Sequence, residues 1–308
     1  MAAAGSSLIH PQTLMSIRNM ELRARVVVEG FWNGLHRSPY HGFSVEFTEY
    51  RQYTPGDDTR FVDWRLVGRT DRYYIKKFED ETNLRCFFVV DQSQSMSFGS
   101  VGYNKAQYAA TLAATLGYFL EVQGDAIGVL TFAETPRDYL PARHRPGHLR
   151  QFMLTLEKQS TGAATNISAS LQRVSELVRK RGLIVVISDF LSSLATLEKS
   201  LGQLRAWGHE VALFQTLDPA ELDLNFQKAS LFRDVESGRE LYIDPKIARG
   251  NYLERFGAHN QELQRICRTL GIAHHTASTD RPLEKSLLEF LLDRQRLGKS
   301  LRRRTSAA

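Results

Sequence analysis

Cysteine is nearly absent from this sequence: Cys86 and Cys267 are the only two. That excludes a disulfide framework and fits a reducing compartment, so the protein is expected in the cytoplasm. Long apolar runs are missing as well. The longest uncharged stretch of membrane-like character, residues 106–120, contains Gln107 and Tyr108 and falls short of the roughly 20 residues a bilayer requires. It reads as a buried helix, and no membrane span is expected. The first residues lack a basic segment followed by an apolar one, so no signal peptide is read. Enzyme motifs are also scarce. No Gly-x-Ser-x-Gly surrounds a nucleophile. Gly298-Lys299-Ser300 fails as a phosphate-binding loop, because position 293 is Asp where that motif requires Gly and no strand precedes it.

Negative charge is missing from one place only. After Asp293 the chain carries Arg294, Arg296, Lys299, Arg302, Arg303 and Arg304 and no acid. Setting these six aside leaves 34 basic residues against 34 acidic ones, so the body is electrically balanced and the net +6 belongs to the end of the chain. A solvated basic tail over residues 294–308 is expected, and nucleic acid is not the favoured partner. With 308 residues, 42% of them hydrophobic, the chain is long enough for one large domain and a smaller one.

What is present centres on residues 84–99. The apolar run Cys86-Phe87-Phe88-Val89-Val90 is rich in aromatic and β-branched residues and too short for a helix, so it reads as a strand buried on both faces of a parallel sheet. It ends abruptly in oxygen-bearing side chains: Asp91, Ser93 and Ser95, spaced by two, can converge on one small volume. A carboxylate and two hydroxyls suit a hard cation such as magnesium or manganese. The stretch is not an EF-hand loop, since Met96 stands at the sixth position and Gly102 at the twelfth. A second apolar run, Leu183-Ile184-Val185-Val186-Ile187-Ser188, leads straight into Asp189. Counted along the chain these are strands one and four, which flank the point where strand order reverses in the common doubly wound sheet, and ligands bind there. Between them a small-residue loop carries Thr165, a third hydroxyl.

Asp91-x-Ser93-x-Ser95, a later loop Thr165 and a strand-end Asp189 resemble the metal-ion-dependent adhesion site of von Willebrand factor A domains. The resemblance implies a cation, Mg²⁺ with Mn²⁺ or Ca²⁺ as alternates, bound directly by the hydroxyls and largely through water by the acids. Such an ion is left short of direct negative charge and takes a carboxylate from an acidic protein ligand.

Ahead of this region, apolar residues at helical spacing from Leu8 to Val26 predict a first helix running towards Trp32. A loop with His36 and His41 follows, and Phe43, Val45 and Phe47 alternate as in a half-buried strand. Residues 49–65 then interleave acids, arginines and aromatics. Arg51, Arg60 and Arg65 with Trp64 could meet nucleic acid, but each has an acid close by, and a turn stapled by Asp58 and Asp63 is the preferred reading. Arg51, Asp57, Asp58, Arg60, Asp63, Trp64 and Arg65 resemble the signature of bacterial proteins classed as domain of unknown function 58, in its short soluble subgroup. That resemblance implies a von Willebrand A-like domain downstream and a role as adaptor or co-chaperone of a MoxR-type AAA+ ATPase.

Further on, apolar runs near 126–132, 183–188, 211–215 and 271–276 alternate with helical segments, and residues 230–243 suggest a hairpin. The expected fold class is α/β: a doubly wound, mostly parallel sheet over residues 84–293, preceded by a small helix-plus-β subdomain over residues 1–83. His274-His275 lacks a nucleophile or cofactor motif beside it and is read as structural. The expected function is a metal-dependent protein-binding module and not an enzyme. The alternatives are a metal-dependent phosphoesterase using Asp91 and Asp189 and a nucleic-acid binder working through the basic tail.

Overall fold

The computed structural model describes residues 9–36, 49–52, 74–77, 84–158, 166–224, 226, 230–233 and 240–305. The chain forms two compact units, one of Met1–Gly34 together with Leu84–Ala308 and one of Leu35–Asn83. The helices before residue 34 therefore group with the sheet.

Those helices are two, where the hydrophobic spacing predicts one. α1 (Pro11–Met15) opens on a proline, whose fixed φ suits the first helical position. α2 (Met20–His36) starts afresh, because the Asn19 side chain accepts a hydrogen bond from Leu22 N at 2.8 Å. That contact caps a new helix rather than continuing the old one. In the small unit, β1 (Glu49–Gln52) pairs antiparallel with β2 (Tyr74–Lys77), Glu49 facing Lys77. The alternation at Phe43, Val45 and Phe47 lies outside the described residues.

β3 (Arg85–Asp91) is buried from Cys86 to its last residue, as a strand covered on both faces should be. A 3₁₀ turn over Gln94–Ser97 and an irregular loop lead to α3 (Lys105–Val122). Asn104 and Gln107 cap that helix reciprocally. Its small residues let it lie close against its neighbours: a Cβ built on Gly117 would come within 2.6 Å of the Phe152 ring. β4 (Ala126–Phe132) returns through the sheet, β5 (Pro136–Arg143) folds back on it, and α4 (His148–Glu157) follows. Phe152 of α4 meets Phe88 edge-on, ring centres 5.4 Å apart. α5 (Ile167–Leu177), β6 (Leu183–Ser188), α6 (Leu194–Ala206) and β7 (Glu210–Leu217) continue the alternation, and α7 (Pro219–Asp223) is a single capped turn. The expected hairpin is β8 (Ser230–Arg233) against β9 (Glu240–Ile243). α8 (Pro245–Leu270), β10 (Ala273–Ser278) and α9 (Leu283–Thr305) complete the chain.

α9 runs on through most of the segment read as a basic tail. Residues 294–305 contain no proline and are rich in Arg, Lys, Leu and Gln, all good helix formers.

The large sheet has the order β10-β7-β6-β3-β4-β5, parallel throughout except that β5 is antiparallel to β4 at one edge. The chain builds outward from β3 in one direction and then, from β6, in the other. Order therefore reverses between β3 and β6, which pair directly in register Val90 to Ile187. On one face Phe87, Val89, Leu130, Phe132, Ile184, Val186 and Leu213 join residues of α5, α6 and α8 in a continuous apolar core. The fold is the doubly wound, mostly parallel α/β sheet expected.

Candidate metal centre at the crest of the sheet

Every parallel strand of this sheet ends on the same side, so the loops that follow β3, β6, β7 and β10 form one crest. At the switch point β3 delivers Asp91 and β6 delivers Ser188 and Asp189, all almost wholly buried. Asp91 Oδ1 accepts a hydrogen bond from Ser93 N at 2.8 Å, and its Oδ2 accepts one from the Ser188 hydroxyl at 2.6 Å. The first contact is the Asx turn that any strand end with this spacing can make. The second joins the two central strands. Ser93 Oγ lies 3.1 Å from Ser95 Oγ, so these hydroxyls share one spot above the carboxylate. Asp91, Ser93 and Ser95 thus meet at one point, and Asp189 is close enough to act on the Asp91 charge. Thr165 lies outside the described residues; its neighbour Asn166 caps α5, accepting from Ala169 N, and ties back to Ala133 O beyond β4 at 3.1 Å.

Asp189 is held by a residue that sequence reasoning passed over. Lys105, at the start of α3, has no exposed side-chain surface, and its Nζ lies 2.9 Å from Asp189 Oδ2 and 2.6 Å from Glu221 Oε1. Glu221 does two jobs: its other oxygen accepts from Asp218 N at 3.0 Å in the capping box of α7. The available signals were a lone lysine heading a run of small and apolar residues, and the Asp218-x-x-Glu221 spacing. The backbone turns sharply here. Phe190, fully buried, has φ +54°, a left-handed conformation uncommon for an aromatic residue and found more often at functional sites.

Electrostatics follow from burial. The Asp91 carboxyl is pushed up to about 7, first because it is removed from water and then because Asp189 is close; hydrogen bonds from Ser188 and Ser93 oppose this without overcoming it. Burial also raises Glu221, against the pull of Lys105. For Lys105 burial alone would lower the ammonium, but Asp189 and Glu221 outweigh it and the shift is upward. An upward shift at both ends is not what a simple ion pair gives. Burial accounts for the glutamate, and the 2.6 Å contact marks a charged pair. The cluster gathers three acids around one ammonium, and Asp91 is only partly ionised near pH 7.

The remaining candidates are elsewhere or outside the description. Arg51 stands in β1, while Asp57, Asp58, Arg60, Asp63, Trp64, Arg65 and His41 lie outside the described residues. His275 is stacked on Phe214 at 4.8 Å, and burial lowers both it and His274, the latter to about 4. Both rings are therefore neutral packing elements near pH 7. Among the described residues no group of three or more His, Cys, Asp and Glu side chains could hold a metal ion. The crest set differs in kind, because two of its four residues are serines, which bring hydroxyls.

A doubly wound sheet with a strand-end Asp-x-Ser-x-Ser beside a second strand-end Asp is the arrangement expected from the resemblance to von Willebrand factor A domains. The chain belongs to the family described as Protein of unknown function DUF58, which matches residues 49–262. An uncharacterized protein of Mycobacterium tuberculosis is 28% identical over 293 residues, covering 93% of this chain and 91% of its own length. An uncharacterized protein of Mycobacterium bovis matches to the same extent. Among solved structures, BatB from Bacteroides thetaiotaomicron is 14% identical, with a TM-score of 0.47 over 67% of this chain and 97% of its own. An aerotolerance-related membrane protein from Bacteroides fragilis is 16% identical, with a TM-score of 0.45 over 66% of this chain and 96% of its own. Likenesses at these scores add nothing to the strand pairing that already defines the fold. No described helix of the present chain is long and apolar enough to cross a membrane.

Proposed function

We propose that this protein is a metal-dependent protein-binding module whose crest captures an acidic side chain of a partner. The supporting observation is the convergence of two strand-end acids and two serine hydroxyls at the topological switch point. The donor chemistry fits magnesium, which takes hard oxygen ligands and retains several waters. Ser93, Ser95 and Thr165 are assigned as direct ligands, with Asp91 and Asp189 holding the ion through water. A divalent ion bound there supplies a Lewis-acidic position that a partner carboxylate can occupy. The chain's own residues prepare that position: Ser188 and Ser93 N orient Asp91, and Lys105 fixes Asp189 while offsetting part of its charge. A bound ion would favour the ionised form of Asp91, and its direct hydroxyl ligands carry no charge, so a further carboxylate can come from outside.

On the resemblance of residues 49–65 to the domain of unknown function 58 signature, the partner assigned is an AAA+ ATPase of MoxR type, with this chain as its adaptor. Affinity capture from lysate, followed by mass spectrometry, tests the reading with wild type and Ser93→Ala, each in Mg²⁺ and in EDTA. The ATPase is expected only with wild type in Mg²⁺. The same partners in all four conditions would mean that the crest is not the binding surface.

A further inference from the structure

Beside the crest lies a cavity of about 500 Å³, walled by the start of α2, the loop after β3, the start of α3 and the end of α4. That is within the size range of ligand sites. Its charged wall residues are three cations, Arg18, Arg23 and Lys158, and one acid, Glu157. Ser93 belongs to this wall as well as to the crest, so cavity and crest are continuous.

The cations differ in their freedom. Arg23 is committed to the fold: its guanidinium donates to Ile17 O at 2.6 and 3.0 Å and to the Thr111 hydroxyl at 2.8 Å. Lys158 pairs with Asp138, 2.5 Å away on the edge strand, but 59% of its side chain is exposed. Arg18 is exposed at the rim. Polar side chains complete the wall, and none of the lining residues is aromatic.

We propose that this cavity receives an acidic stretch of a partner polypeptide, one of its carboxylates going to the crest and its neighbours to Arg18 and Lys158. The proposal rests on the crest reading above and adds the site that selects a run of acids over a lone one. A nucleic acid would also answer to the cations. A single strand, however, is held largely by bases stacked on aromatic side chains, and this wall offers no ring.

The test uses the full chain in Mg²⁺ and a fluorescein-labelled oligoglutamate peptide, followed by anisotropy at low and at physiological salt. A thymidine strand of equal length serves as competitor. Wild type is expected to bind the peptide, more weakly as salt rises. Arg18→Glu should weaken binding about tenfold, and Arg18→Glu with Lys158→Glu further, since rim charges act on encounter and on repulsion. Melting curves check that both variants remain folded.

Loss with Arg18→Glu but not with Ser93→Ala would uphold the cavity and remove the crest from capture. Loss with Ser93→Ala while both rim variants bind as wild type would overturn the cavity and leave the crest reading intact. No binding by wild type, or displacement of the peptide by thymidine at lower concentration than by unlabelled peptide, would also overturn it.

Discussion

Lys105→Met is expected to destabilise the protein by about 3–5 kcal/mol, the usual consequence of removing one partner from a buried ion pair and leaving the other charge alone. Two carboxylates depend on this ammonium, Asp189 with 3% of its side chain exposed and Glu221 with 17%. Methionine preserves the bulk, so the loss is electrostatic. The pH dependence gives the mechanism away. Burial already holds Glu221 high in the fold, and without the lysine nothing opposes that rise, so Glu221 must titrate higher in the folded protein than in the unfolded chain. The native state then binds more protons than the unfolded one, and stability falls as pH rises. The gap to wild type, measured by urea denaturation, should be wide near about pH 8 and narrow towards about pH 5 as the stranded Glu221 protonates. A gap that stays constant with pH would mean that lost packing, not stranded charge, is the cause.

Asp91→Asn should act in the opposite sense on the metal-free protein. Asp91 titrates at about 7 in the fold, well above an unfolded aspartate at about 3.9. Its burial therefore costs nothing below the lower value, and the cost grows through the interval and is complete above about pH 7. Asparagine keeps the shape and carries no charge to desolvate. In EDTA at about pH 8 the variant should be more stable than wild type, on the order of 4 kcal/mol, and the advantage should disappear near about pH 4. A site that is stabilised by losing its own acid is one shaped for a ligand rather than for the fold. If the variant is less stable than wild type at both pH values, Asp91 is a structural residue.

The sheet was legible because its signal is local. Runs such as Cys86–Val90 and Leu183–Ile187 can only be strands covered on both faces, and the acids at their ends are visible in one dimension. The neighbouring placement of β3 and β6 followed from strand order alone. The Lys105–Asp189–Glu221 cluster was not legible, because its members are 84 and 116 residues apart. A lone lysine heading a run of small and apolar residues hints at burial but does not name the acids that it meets. The break between α1 and α2 was lost for another reason: apolar spacing runs on through Asn19, and a single capping side chain outweighed it. The helical continuation of α9 was missed because charge density was weighed above helix propensity.

The central claim is that the crest holds one divalent cation, and titration calorimetry with Mg²⁺ tests it most directly, on wild type and on Asp91→Ala freed of metal. Wild type is expected to bind one ion per chain, and the heat should vanish with Asp91→Ala while the circular dichroism spectrum is unchanged. Equal Mg²⁺ binding by the two proteins would contradict the account.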